Sequence, residues 1–142
     1  MATPMTDAAW RTFVSESTRT AKIATTRADG RPHVAPVWFL LDGDNVVFNT
    51  AKNSVKGRTL IRDGRVTLCV DDDRPPFSFV VIDGQAEVSE DAPQVREWAA
   101  RIAARYVGEK RALEYAARNS VPEILLVRMS IDKVVAFNGV AD

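Results

Sequence analysis

The chain is poor in the residues that build the commonest catalytic and metal centres. Its 142 residues include one histidine, His33, and one cysteine, Cys69. A single histidine leaves a histidine-based metal site or a Ser-His-Asp triad little to work with. A single cysteine excludes an internal disulfide framework and fits a reducing compartment. Neither sign of charge is in excess, because 19 Lys and Arg balance 19 Asp and Glu. Nucleic-acid binders ordinarily carry a basic surplus, so nucleic acid is not an expected partner and any cationic site must be local. No apolar run approaches the roughly 20 residues that a membrane helix needs. The opening MATPMTDAAW lacks the basic and apolar regions of a signal peptide. A soluble, cytoplasmic protein with no membrane partner is expected.

What is present reads as one domain over 1–142, with 46% apolar and 27% charged residues, enough to bury a core. Asp-Gly pairs stand at 29–30, 42–43, 63–64 and 83–84. Such pairs favour tight reversals, since glycine tolerates positive φ and Asp hydrogen-bonds its own backbone. Strand-like runs occupy 20–27, 33–41, 46–50, 65–71, 77–82 and 85–89, with one or two more over 123–138. The first three read as a meander, and the fifth and sixth as a hairpin across Asp83-Gly84. Helical patterns cover 6–16 with Thr6 as N-cap, 92–108 with Pro93 in the first turn and Gly108 at the end, and 109–119. Many short antiparallel strands with few helices suggest a mainly β sheet closed into a barrel.

The segment FNTAKNSVKGRTL (48–60) concentrates polar chemistry where a strand gives way to a helix. A helix starting at Ser54 has first-turn amides without internal partners and a partial positive charge, which suits a phosphate. Lys56 and Arg58 add full charges, Thr50 a hydroxyl, and Gly57 close access to the backbone. The same spacing, with Lys52/Lys56 and Arg58/Arg62 four apart, also describes a solvated helix face. No Walker loop, nucleophile elbow or dinucleotide fingerprint is present. His33 reads as an exposed residue beside a turn, Cys69 as a packed strand residue, and Asp71, Asp72 and Asp73 as a solvated loop. No metal site and no catalytic pair is singled out. Pro36 within APVW (35–38) marks a bulge or sheet edge, and Phe77 and Phe79 project to one side of a strand.

These stretches in this order, TTRADGRPHVAPVWFLLDGDNVVFNTAKNSVKGRTLIRDGRVTLCVDD and then FSFVVIDGQAEV, resemble the split β-barrel flavin- and deazaflavin-binding superfamily. This is the superfamily of pyridoxamine 5'-phosphate oxidase, and the likeness is nearest to its actinobacterial F-420-dependent branch. The resemblance implies an antiparallel six-stranded split β-barrel with flanking helices. It also implies a homodimer with cofactor sites at the subunit interface. Thr50, Ser54, Lys56 and Arg58, with the amides around Gly57, would hold the cofactor phosphate. Ala35, Pro36, Val37 and Trp38 would run beside the ring, Phe77 and Phe79 would line the pocket from the partner, and Lys52 would sit at its mouth. The chain has SVKG where the vitamin-synthesising oxidase carries Ser-Arg-Lys-Gly, and it ends VVAFNGVAD without that enzyme's Arg-Leu-x-Pro type of segment. Both departures argue against pyridoxamine phosphate as substrate. The expected activity is hydride transfer between reduced F-420 and a conjugated small-molecule acceptor. An FMN-dependent oxidase or reductase, or a non-catalytic flavin- or haem-binding protein, is the alternative.

Overall fold

A computed structural model describes residues 1–141. Its elements run β1 (Thr3–Pro4), α1 (Asp7–Ser15), β2 (Ala21–Thr26), β3 (Pro32–Val37), β4 (Leu40–Asp42), β5 (Asn45–Ala51), α2 (Val55–Arg62), β6 (Arg65–Asp71), β7 (Phe79–Ser89), α3 (Ala92–Val107), α4 (Glu109–Arg118), β8 (Ile124–Ser130) and β9 (Lys133–Asn138). All strand pairs are antiparallel. The architecture is a mainly β split barrel with four flanking helices. Nine strands are described rather than six, and two of them, β1 and β4, are only two and three residues long.

The split lies in β7. Its first half pairs with β9 on one side, its second half turns to β8, and β6 runs along the other edge. The sheet order is β3-β2-β6-β7-β8-β5-β4, with β9 joined to β7 and β1. Alternation sets the two faces of β5. Val46 and Phe48 enter the barrel core with Ile23, Leu68 and Ile82, while Val47 packs beneath α3 against Trp98 and Leu126. Burying each such side chain stabilises the fold by about 1.5–3 kcal/mol.

Helix starts follow their caps. Thr6 Oγ1 accepts from the Ala9 amide (3.1 Å), Ser54 Oγ from Gly57 (2.9 Å) and the Asp91 carboxylate from Gln94 (3.1 Å). Gly108, at φ +85°, separates α3 from α4.

Three expectations need correction. The run 77–89 is no hairpin, because β7 passes straight through Asp83-Gly84. Gly84 is instead required where the carbonyl of Ser130 lies against the strand, in space that a Cβ would occupy. The run 33–41 breaks at Trp38-Phe39, so the meander ends after the β2–β3 hairpin; β3 forms one edge of the sheet and β4 the other. Phe77 precedes β7 at φ +62°, its amide bonded to the Arg74 carbonyl, so it shares no strand face with Phe79.

Candidate cofactor site

The end of β5 and the start of α2 are tied together by one hydroxyl. Ser54 Oγ donates to the Ala51 carbonyl (2.7 Å), accepts from the Gly57 amide (2.9 Å) and lies 3.4 Å from Thr50 Oγ1. With the Gly57 amide engaged, the amides of Val55 and Lys56 are the first-turn donors without an intrahelical acceptor. Gly57 itself is buried, and a Cβ there would strike the Ala51 carbonyl. Its close approach is therefore to the chain's own backbone and not to a ligand.

Lys56 is half-buried beside this cap. Among the described residues its ammonium has no carboxylate or hydrogen-bond partner, and burial pushes its pKa below the ordinary lysine range. A cation held partly out of water without a counter-charge favours an incoming anion.

A cleft of about 360 Å³ opens from this corner. Pro36, Val37 and Trp38 form one wall as β3 ends, and Thr50, Ser54 and Lys56 another. Asn49, Ala51, Ala99, Ile102, Asn119 and Ile124 complete it. Trp38 is fixed from behind. Its ring stacks on Tyr106 at 5.0 Å and 5°, and Tyr115 lies 5.7 Å away. Tyr106 is anchored in turn, its hydroxyl donating to the Arg19 carbonyl (2.8 Å) and accepting from the Phe39 amide (3.2 Å).

The sequence-predicted residues divide. Pro36, Val37, Trp38, Thr50, Ser54 and Lys56 converge on the cleft; Ala35, Lys52, Gly57, Arg58, Phe77 and Phe79 stand outside its wall. Lys52 is exposed and paired with Glu90 (2.7 Å), and Arg58 is exposed on α2. Phe79 faces Phe137 at 5.9 Å on the β7–β9 side. Asn49, Ala51, Ala99, Ile102, Asn119 and Ile124 were missed, although Asn49 and Ala51 flank the predicted Thr50 on β5. Only tertiary packing brings α3 and the end of α4 over β5, and no local pattern encodes that.

The minor candidates also resolve. His33 is on β3 opposite Thr25, partly buried, with Nδ1 unpartnered, so it is not the exposed imidazole expected. Asp72 is bonded to Arg19 and Arg74 rather than solvated. Burial first, and then Asp71, raise the Cys69 thiol pKa, which makes it a poor nucleophile.

The residues fit a ligand with an anionic tail and a flat body. A paired cap, free first-turn amides and an unpartnered lysine meet the tail, while Trp38 and the aliphatic wall meet the body.

Solved structures share this architecture. A conserved hypothetical protein from Mycobacterium tuberculosis superposes with a TM-score of 0.84 at 24% identity, over 95% of this chain and 86% of that one. An F-420 reductase gives 0.69 at 21% identity, over 86% and 93%. The haem storage protein HutZ from Vibrio cholerae gives 0.72 at 18% identity, over 92% and 94%. At these identities the likeness carries the fold alone. No curated protein matches the sequence. The sequence profile described as pyridoxamine 5'-phosphate oxidase matches residues 6–137, nearly the whole chain. The chain belongs to the pyridoxamine 5'-phosphate oxidase family, with its flavin-binding split-barrel fold.

Proposed function

We propose that this protein is an F-420-dependent oxidoreductase acting on a conjugated small-molecule acceptor, and that it works as a homodimer. The observation that carries the reading is the half-buried, unpartnered Lys56 beside the Ser54 cap, opening onto a cleft walled by Trp38. When bound, the deazaflavin supplies the hydride chemistry, and the protein supplies binding, orientation and electrostatics. Lys56, the Ser54 corner and the Val55 and Lys56 amides would hold the phosphate. Pro36, Val37 and Trp38 would orient the ring and keep water from one side. Holding two reactants face to face accounts for a large part of a barrier without any acid/base pair, consistent with the lack of one in the sequence.

The choice of F-420 over FMN rests on the APVW and VKGRTLIRDGRV stretches, which are nearer to the deazaflavin branch, and is supported by the fold shared with an F-420 reductase. His33, the chain's one histidine, lies outside the cleft wall, which gives a haem in this cleft no histidine ligand from the same chain. Dimerisation is supported by the outer face of β7 and β9. Their register puts Phe79 and Val81 beside Phe137 and Val135, opposite the core residues Val80, Ile82 and Ala136. Phe77, 42% exposed, is a further apolar surface residue, at the entrance to β7.

Titrating the pure protein with oxidised F-420 at micromolar concentration tests the cofactor. Quenching or a shift of the coenzyme's fluorescence is expected, and no change, with FMN binding instead, overturns the assignment. Sedimentation tests the assembly. A monomer that binds cofactor fully contradicts the dimer and the interface role of Phe77 and Phe79.

A further inference from the structure

Beyond the Lys56 corner, the cleft wall holds two side-chain amides, Asn49 and Asn119. Asn49 Nδ2 donates to the Leu125 carbonyl (3.3 Å), which leaves Oδ1 as an acceptor with no protein donor among the described residues. Asn119 ends α4. Its backbone amide bonds to the Tyr115 carbonyl, and its side chain has no partner among the described residues. Asparagine is common at helix ends because it tolerates the left-handed region. Asn119 sits at φ −101°, ψ 18°, which any residue adopts, so the backbone does not account for the amide.

Both residues are partly exposed, so water reaches their amides in the free chain, and a ligand that displaces it must supply equivalent hydrogen bonds. Around them the wall is apolar, with Ile102, Ile124 and Trp38. Among the described residues, Lys56 is the one charged side chain in the cleft wall, and no carboxylate lines it.

We infer that Asn49 and Asn119 form a subsite for a planar, neutral acceptor that presents an N–H beside a C=O, as a lactam or imide does. The free Asn49 oxygen needs a donor from the ligand, and the Asn119 NH2 offers donors to a carbonyl. A ketone or quinone answers only the second. A cationic ligand meets the charge of Lys56 with no carboxylate to offset it. With the cofactor ring along Trp38, the acceptor would lie face to face with that ring, which selects for flatness. The inference rests on the cleft being the reaction site proposed above.

The test uses the full chain and two probes of one shape, isoindolinone and phthalide, a lactam and the lactone in which oxygen replaces N–H. In 1H–15N NMR titrations the lactam should bind about 3–10-fold more tightly, the effect of one neutral hydrogen bond. It should also shift the side-chain amide signals of Asn119. Asn49→Ala should bring the ratio close to one and Asn119→Ala should weaken both probes alike, and the spectra themselves report whether those variants fold. Equal binding of the two probes, no binding of either, or a lactam preference that survives Asn49→Ala overturns the subsite.

The cofactor's own ring carries an imide edge, so the titration is repeated with F-420 present. Undiminished lactam binding, with F-420 affinity unchanged in Asn119→Ala, assigns the amides to the acceptor. Competition between the two assigns them to the cofactor and overturns the acceptor subsite. A protein that fails to bind F-420 but keeps an Asn49-dependent lactam preference refutes the proposed function and leaves this subsite standing.

Discussion

Replacing Lys56 by methionine should strengthen or leave unchanged the free protein while weakening its ligand binding, and opposite signs are a demanding test. Methionine keeps the length and apolar stem of the side chain but removes a half-buried ammonium with no partner among the described residues. Nothing in the fold is lost, and the desolvation that depresses the lysine pKa goes with it. The thermal midpoint of Lys56→Met should therefore equal or exceed that of the unsubstituted protein. A hydrogen bond to a charged group contributes about 1.5–3 kcal/mol, so loss of the phosphate contact should weaken F-420 binding roughly 10–150-fold. Fluorescence titration and thermal unfolding on the same samples read both quantities.

The pH dependence follows in sign. The folded chain holds the Lys56 proton less firmly than the unfolded chain does. Below the lowered folded pKa both states are charged and the folded state bears the full burial penalty. As pH rises from the folded to the unfolded pKa the penalty is relieved, so stability gains over that alkaline window, and Lys56→Met should lack the gain. Cofactor binding should run the other way, fading as pH rises through the lowered pKa. A methionine variant that binds F-420 within about twofold of the original, too little for a charged contact, would refute the reasoning. So would one that unfolds earlier.

Gly84→Ala places a methyl group against the Ser130 carbonyl where β7 crosses to β8, and should destabilise the fold by about 1–3 kcal/mol or more in urea unfolding. An alanine there that unfolds like the original would disprove the close approach. Tyr106→Phe strips the Phe39 amide and the Arg19 carbonyl of one shared partner, at a cost of about 1–3 kcal/mol, and should loosen Trp38 as seen in the 15N relaxation of its indole N–H. The Asp63 carboxyl is pulled down to about 2, chiefly by its side-chain hydrogen bond from Arg65. Its contribution is present above the ordinary Asp range and lost as pH falls towards 2, and in Arg65→Ala the carboxyl pKa should rise towards that ordinary range in a 13C NMR titration.

Local chemistry was legible in the sequence wherever one residue decides the backbone. Thr6, Ser54 and Gly108 sit at the helix ends their side chains or φ demand, and the β5–α2 junction falls where the polar cluster began. Residues whose role depends on a distant strand were misread. Gly84 looks like a turn glycine because a glycine that makes room for β8 and one that reverses the chain have the same sequence signature. Gly57 was credited to a ligand for the same reason, although the neighbour it admits is Ala51. Asn119 carries no local signal at all. It reaches the cleft only because α3 and α4 fold back over β5, and the apolar spacing of those helices says that they pack but not on what.

A structure of the protein with bound F-420 tests the central claim most directly. The account predicts the cofactor phosphate against Ser54, the Val55 and Lys56 amides and the Lys56 ammonium, with the ring along Pro36, Val37 and Trp38. A phosphate lodged anywhere else, with Lys56 still without a partner, would contradict it.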